Sequence, residues 1–356
     1  VNLSNFGLTE TIKSDFEALK NRDNLILGRV ALEHKRMYRV WTEHGEILCE
    51  VSGKFSFETI NREDYPAVGD WVVLKPRLDE GKGTIYSILP RKSKFSRKAA
   101  GQTAEEQIVA TNIDTVFLVN SLNEDLNLRR IERYLLLTWE SGANPVIILS
   151  KADLCDDLSE KMAEVEAIAF GSVPIIPISS ETMHGFEKLQ PFLQPGQTIA
   201  LLGSSGVGKS TLTNRLLGEE KQLVQKIREA DDKGRHTTTH RELIMLQNGS
   251  ILIDTPGMRE LQLWESSEGL TETFSEIVEL AEKCRFRDCQ HKDEPGCAVI
   301  KAIDEGLLDV ERLISYNKLQ KELAYIERKT DKRAQSEEKK HWKNINKQMK
   351  HKRNVY

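Results

Sequence analysis

Residues 198–218, TIALLGSSGVGKSTLTNRLLG, contain Gly203-x4-Gly208-Lys209-Ser210. Glycines at 203, 206 and 208 carry no Cβ, so the backbone can curl there with its N–H groups turned toward a phosphate. Ser204, Ser205 and Val207 add further backbone N–H groups to the same curve. A helix expected to open near Lys209 would add the positive end of its dipole. Lys209 offers a point charge for β- and γ-phosphates, and the Ser210 hydroxyl, with Thr211 next to it, can reach a Mg2+ ion. A buried strand before the loop and an apolar helix after it are the context such a phosphate cradle requires.

A phosphate loop does not choose its base. Ser150-Lys151-Ala152-Asp153 ends another hydrophobic stretch, as the guanine-reading Asn-Lys-x-Asp segment of GTPases does. A carboxylate at Asp153 can accept two hydrogen bonds from guanine N1–H and N2–H2, donors that adenine lacks, while the Lys151 stem lies along the base. Pro177-Ile178-Ser179-Ser180 ends the following stretch and suits a loop whose backbone meets guanine O6. Asp254-Thr255-Pro256-Gly257 ends a third, where a carboxylate can hold the Mg2+ shell and the Gly257 N–H can sense a γ-phosphate. Lys233 to Arg241, KGRHTTTHR, lies where the first switch of a GTPase belongs, so one of Thr237, Thr238 and Thr239 is expected to ligate Mg2+. Met258 stands where signalling GTPases often carry the water-orienting Gln, and methionine cannot orient water. His236 is the candidate replacement in cis, with His240 behind it, since an imidazole can orient or deprotonate water.

GTPases usually run phosphate loop, Thr switch, DxxG, NKxD, SA(K/L). This chain runs SKAD, PISS, phosphate loop, Thr switch, DTPG. The cyclic order is unchanged and the starting point has moved, which is a circular permutation, with the old ends joined between Leu189 and Thr198.

Cys284-x4-Cys289-x-His291-x5-Cys297 offers three thiolates and one imidazole, a full tetrahedral set for one structural Zn2+. No position is left open for catalysis, and such an ion would staple a domain too short to build its own core. Cys49 and Cys155 stand apart from this cluster.

The elements that must position these residues change character along the chain. Residues 24–95 read as five short strands with Gly, Asp and Pro turns, suiting a small barrel, with an OB-fold first and an SH3-like barrel second. OB barrels often bind oligonucleotides, though a barrel that only docks protein is the other reading. PRKSKFSRKAAGQTAEEQ, with five basic residues from Arg91 to Lys98, reads as a flexible basic connector, either touching RNA or merely solvated. From Ile113, strands alternate with helical patterns, implying a mostly parallel sheet covered on both faces. NLRRIERYLLLTWESG has helical spacing and ends on Gly142, at a C′ position. After about Glu260 the chain reads as helical and charged.

The permuted order, the N-terminal barrel and the cysteine cluster together resemble the ribosome small-subunit-dependent GTPase A family, also called YjeQ, from about residue 24 to about 320. That resemblance implies a multidomain fold: an N-terminal extension (1–23), an OB-fold barrel (24–95), a circularly permuted α/β P-loop GTPase domain (96–258), an α-helical zinc-binding domain (259–325) and a basic tail (326–356). It implies GTP/GDP and Mg2+ as ligands, Thr238 as the Mg2+-ligating threonine, and action on the maturing small ribosomal subunit and its rRNA. Ser150, where GTPases usually have Asn, departs from the pattern and is expected to loosen nucleotide binding without changing base choice. The permutation also runs the γ-phosphate sensor straight into the C-terminal domain, so Gly257 to Trp264 is expected to carry the GTP/GDP difference there. Two other readings stay open: an RNA-binding module using GTP as a structural ligand, and a GTPase acting on another RNA or protein.

The 356 residues carry a formal net charge of −4, so no global field draws the chain to nucleic acid or an anionic membrane. From Arg328 to Tyr356, however, eleven Lys or Arg face three acids, a local net of +8. In a helix, Lys339, Lys343, Lys347 and Lys350 share one face, which fits contact with rRNA phosphates or simple solvation. The polar N-terminus does not read as a signal peptide, and no apolar run is long enough to span a bilayer. A cytoplasmic monomer without membrane contact is expected.

Overall fold

The computed structural model describes residues 2–19, 23–59, 61–98, 106–123, 126–169, 173–218, 241–254, 268–292 and 294–324. Helix α1 (Glu10–Glu17) is opened by Thr9, whose hydroxyl accepts the Ile12 N–H at 3.3 Å. Strands β1 (Ile26–His34), β2 (Met37–Thr42) and β3 (Gly45–Val51) form an antiparallel meander, and β4 (Trp71–Arg77) and β5 (Lys82–Ile88) a second hairpin. β3 pairs in parallel with β5 and β1 antiparallel with β4, so the five strands close in the order β1-β2-β3-β5-β4. This is the OB-type barrel the strand pattern predicts. Its inward residues, among them Val30, Tyr38, Ile47, Val72, Leu74 and Ile85, make a continuous core. Cys49 lies in that core, where burial pushes its thiol up to about 12, so it packs as a small apolar group. EILCEVSGKF is not one strand. β3 stops at Val51, and Ser52 caps α2 (Gly53–Glu58) by accepting the Phe55 N–H at 3.1 Å.

The described parts of the basic connector are structured as well. β6 (Lys94–Lys98) pairs antiparallel with β7 (Glu106–Thr111). Its cations meet carboxylates of the same chain: Arg91 with Asp70 at 2.8 Å, Lys94 with Glu106 at 3.0 Å, and Lys92 with Asp114. Arg91 is largely covered by this pairing, while Lys92 and Lys94 pair at the surface and stay open to solvent.

β8 (Thr115–Ser121), α3 (Leu128–Glu140), β9 (Asn144–Ser150), α4 (Leu158–Glu166), β10 (Ile175–Pro177), β11 (Thr198–Leu202), α5 (Lys209–Leu217), β12 (Glu242–Met245) and β13 (Ile251–Asp254) follow. β10-β9-β8-β11-β13 run parallel and β12 closes the series antiparallel, forming the expected hairpin with β13. Every residue of β8 is buried, as befits a central strand covered on both faces. Phe117, Val119, Val146, Ile148, Ile199 and Leu252 anchor the core. Gly142 follows the α3 C-cap with φ of 84°, the left-handed C′ geometry. GFEKLQPFL is helical, a 3-10 helix over Phe186–Phe192 with Pro191 inside it.

β12 also pairs with β1 of the barrel, Leu32 opposite Glu242, so barrel and α/β strands belong to one eleven-stranded sheet. Arg39 on β2 meets Glu242 at 2.8 Å, and Arg241 donates to the Ile108 carbonyl at 2.8 Å. Fully buried Arg29 donates to the carbonyls of Phe6, Gly69 and Asn112, tying N-terminal segment, barrel and β7 exit together. Burial holds its guanidinium down to about 10.

Residues 1–262 form one compact unit and 263–356 a second. The described part of the second is helical: Glu268–Thr273, Ser275–Ala281, Ala298–Asp304 and a helix over 310–324. Arg312 ties the last of these to the first two by pairing with Glu276, donating to the Thr273 carbonyl at 2.6 Å and lying 4.6 Å over the Phe274 ring. Among the described residues no helix is long and apolar enough to cross a membrane.

Candidate functional site

Parallel strands of an open sheet present a crevice at their carboxyl ends, where connecting loops converge. β9, β10 and β11 end there on Ser150, Pro177 and Leu202, delivering the SKAD, PISS and glycine-rich loops to one edge. Hydrogen bonds join the three. Buried Ser150 donates through Oγ to the Val207 carbonyl at 2.6 Å, linking the SKAD strand to the glycine-rich loop. Ala152 N–H donates to the Ile178 carbonyl at 3.0 Å, and Arg215 Nε on α5 donates to the Ser180 carbonyl at 2.9 Å.

The glycine-rich loop is built as its composition demands. A Cβ on Gly203 would lie 2.3 Å from the Val119 carbonyl oxygen, a distance no side chain tolerates, so only glycine lets the loop leave β11 against β8. Gly208 has φ of 93° and caps α5, which begins at Lys209. Lys209 Nζ donates to the carbonyls of Gly203 (2.7 Å) and Ser204, so its ammonium is held across the loop. Ser205, Gly206, Ser210 and Thr211 are exposed at the mouth, while Val207 is buried beneath it.

Lys151 takes a left-handed φ of 60° at the turn out of β9, and Asp153 is exposed in the short 3-10 turn Ala152–Leu154. Buried Ser179 accepts the Thr182 N–H at 3.1 Å and donates its own N–H to the His184 carbonyl at 3.0 Å, curling the PISS loop. Asp254 closes β13, beside β11, which puts its backbone at the same edge. His236, Thr237, Thr238, Thr239, His240, Gly257 and Met258 lie outside the described residues, as does the tail from 325.

Ser150, the departure from the usual Asn, ties the glycine-rich loop to β8, its hydroxyl also reaching the Asn120 carbonyl at 3.3 Å. Two residues were not singled out from sequence: Arg215, above, and Arg130, whose guanidinium donates to the Ser204 hydroxyl at 3.0 Å. Both sit in helical patterns that advertise only amphipathicity, and their partners are 35 and 74 residues away.

In the second unit the ligand atoms of Cys284, Cys289, His291 and Cys297 lie within 4.8 Å of one another. The Cys284–Cys297 sulfurs are 3.9 Å apart, and His291 Nδ1 lies 3.7 and 3.5 Å from them. A tetrahedron with Zn–S near 2.3 Å and Zn–N near 2.05 Å has edges of about 3.8 and 3.6 Å, so the donor set fits such an ion. Cys297 also caps the helix Ala298–Asp304, its sulfur accepting the Ile300 N–H at 3.4 Å, while Ala298 N–H donates to Cys284 Sγ at 3.4 Å. Burial pushes the Cys284 thiol up, but backbone N–H groups of Ala298 and Val299 outweigh it and leave the thiol below its ordinary value. Burial keeps the His291 imidazole below its own, favouring the neutral ring a metal needs.

A family model described as RsgA GTPase matches residues 88–264, and one described as 50S ribosome-binding GTPase matches residues 198–347. The chain is 49% identical over 325 residues to small ribosomal subunit biogenesis GTPase RsgA 2 of Lactiplantibacillus plantarum, covering 91% of this chain and 90% of the relative. It is 47% identical over 352 residues to small ribosomal subunit biogenesis GTPase RsgA of Opitutus terrae, covering 96% and 95%. Among solved structures, YjeQ from Thermotoga maritima superposes with a TM-score of 0.62 at 30% identity, over 84% of this chain and 99% of that one. YloQ, described as a circularly permuted GTPase, superposes with a TM-score of 0.61 at 26% identity, over 86% and 97%.

Proposed function

This chain belongs to the RsgA GTPase family and hydrolyses GTP, and on that footing we propose that it serves the late maturation of the small (30S) ribosomal subunit. It binds rRNA, works as a cytoplasmic monomer, and leaves after the subunit has stimulated hydrolysis. The names of the L. plantarum and O. terrae relatives support the partner. The observation that carries the reading of the site is the meeting of SKAD, PISS and phosphate loop at one sheet edge, through the Ser150–Val207, Ala152–Ile178 and Arg215–Ser180 hydrogen bonds.

On this reading Asp153 accepts from guanine N1–H and N2–H2, Lys151 flanks the base, and the backbone of Ser179 and Ser180 faces O6. Residues Gly203 to Gly208 wrap the phosphates, with the α5 dipole and Lys209 countering their charge. Ser210 and Thr238 would hold Mg2+, with Asp254 in its shell, and the ion would supply charge neutralisation for the phosphates. Gly257 senses the γ-phosphate, and His236 orients the attacking water. Cys284, Cys289, His291 and Cys297 hold one structural Zn2+, which staples the helical unit. The basic tail meets rRNA phosphates.

Phosphate release measured with purified subunits tests the assignment. Stimulation by small subunits, and none by large subunits or tRNA, is expected; equal stimulation by all three overturns it. Under the same conditions His236→Ala is expected to lose the stimulated rate, and an unaltered rate removes that residue from the mechanism.

A further inference from the structure

We infer that Arg130 is a positioning residue of the phosphate loop, acting through Ser204 to hold the loop in the curve that receives a triphosphate. The inference rests on the reading of residues 203–210 given above. Its basis is that two cations converge on one loop residue. The Ser204 hydroxyl accepts from Arg130 at 3.0 Å, and its carbonyl accepts from Lys209 Nζ. The backbone that carries Arg130 is held in place. Asn127 caps α3 by accepting the Arg130 N–H at 3.0 Å, so the first turn that carries the arginine is pinned.

The adjacent arginine does something different. Arg129 pairs at 2.6 Å with Glu132, which is fully buried, and so serves the helix rather than the loop. Gly203 meanwhile rests on the Val119 carbonyl at the base of the loop. The loop is thus held at its root by β8 and at its second residue by α3. A guanidinium keeps its charge at every physiological pH and presents a rigid fork, so the contact is directional as well as electrostatic. Its attraction for a ligand grows with the number of phosphates, and a ligand without phosphates does not feel the loop's curvature.

The test compares Arg130→Ala, Arg130→Lys and Ser204→Ala in the full chain, reading affinity for GTP, GDP and guanosine, kcat and KM with small subunits, and the melting temperature. Arg130→Ala is expected to weaken GTP binding about tenfold, GDP less and guanosine not at all, and to lower kcat at saturating GTP. Arg130→Lys recovers affinity but only part of kcat. Ser204→Ala reproduces the loss in kcat, and the double variant with Arg130→Ala is no worse than Arg130→Ala alone, as coupled residues require. Unchanged GTP affinity and kcat in Arg130→Ala overturns the inference. An equal loss for guanosine, with a lower melting temperature, overturns it too, because packing would then explain the effect. Lys209→Ala separates this from the underlying reading: normal GTP binding there defeats the phosphate-loop assignment itself, whereas lost binding there beside a silent Arg130→Ala defeats only the role of Arg130.

Discussion

Replacing Ser150 by alanine probes how base loop and phosphate loop are coupled. Ser150 is 5% exposed, and its Oγ lies 2.6 Å from the Val207 carbonyl and 3.3 Å from that of Asn120. The substitution removes a net hydrogen bond of about 1 kcal/mol and leaves a buried carbonyl short of a donor, for a cost of about 1–3 kcal/mol. Each 1.4 kcal/mol is a factor of ten in an equilibrium constant, so GTP and GDP affinity should fall roughly 5- to 150-fold if the tether preorganises the loop. The same cost levied on folding alone would lower the melting temperature by about 2–4 °C per kcal/mol. Titration with fluorescent GDP and GTP analogues, alongside thermal unfolding without nucleotide, separates the two. Ser150→Asn, which keeps a donor at the position, is expected to recover affinity. An alanine variant that melts earlier yet binds both nucleotides as tightly as the unaltered chain would refute the coupling and leave Ser150 a support of the fold only.

Asp153→Asn, at an exposed position, should spare stability while lowering GTP affinity at least about tenfold, the worth of one or two hydrogen bonds to a charge, and raising that for xanthosine triphosphate; unchanged GTP affinity rejects the base assignment. One equivalent of zinc by elemental analysis is expected of the unaltered chain; Cys289→Ser should lose it and lower hydrogen-exchange protection of helix Ala298–Asp304, and stoichiometric zinc in the variant defeats the ligand set. Burial, with a hydrogen bond to Glu106, pushes the Glu63 carboxyl from 4.5 up to about 7. The folded chain then holds a proton that the unfolded chain has lost, so this group's stabilisation is complete below pH 4.5 and declines as pH rises through about 7. Glu63→Gln should flatten that part of the profile of melting temperature against pH; an unaltered slope refutes the assignment.

Much was legible because certain chemistry tolerates few residue types. Gly203 must be glycine where a Cβ would lie 2.3 Å from a carbonyl oxygen, and Gly208 must take a left-handed φ, so both appear in sequence as a fixed spacing. Three thiolates and an imidazole within fourteen residues announce themselves in the same way. Alternation of buried strands with helical periods disclosed the parallel sheet, and motif order disclosed its permutation, since both are properties of a single stretch or of succession along the chain. The exception was a local competition: Ser52 could cap a helix as readily as continue β3.

The chain order of residues alone thus marked the loops to which the proposed reading gives phosphate-, base- and metal-directed groups. Tertiary structure decided which side chains support them. That Ser150 meets Val207, that Arg130 meets Ser204, that Arg91, Lys92 and Lys94 are met by carboxylates, and that β12 joins the barrel through β1 are contacts between residues 12 to 210 positions apart. Serine and arginine are compatible with solvent as well as with a buried partner, so their types state no destination. Only the packing of α3, β9 and the barrel strands brings donor to acceptor, and from that closeness their roles arise.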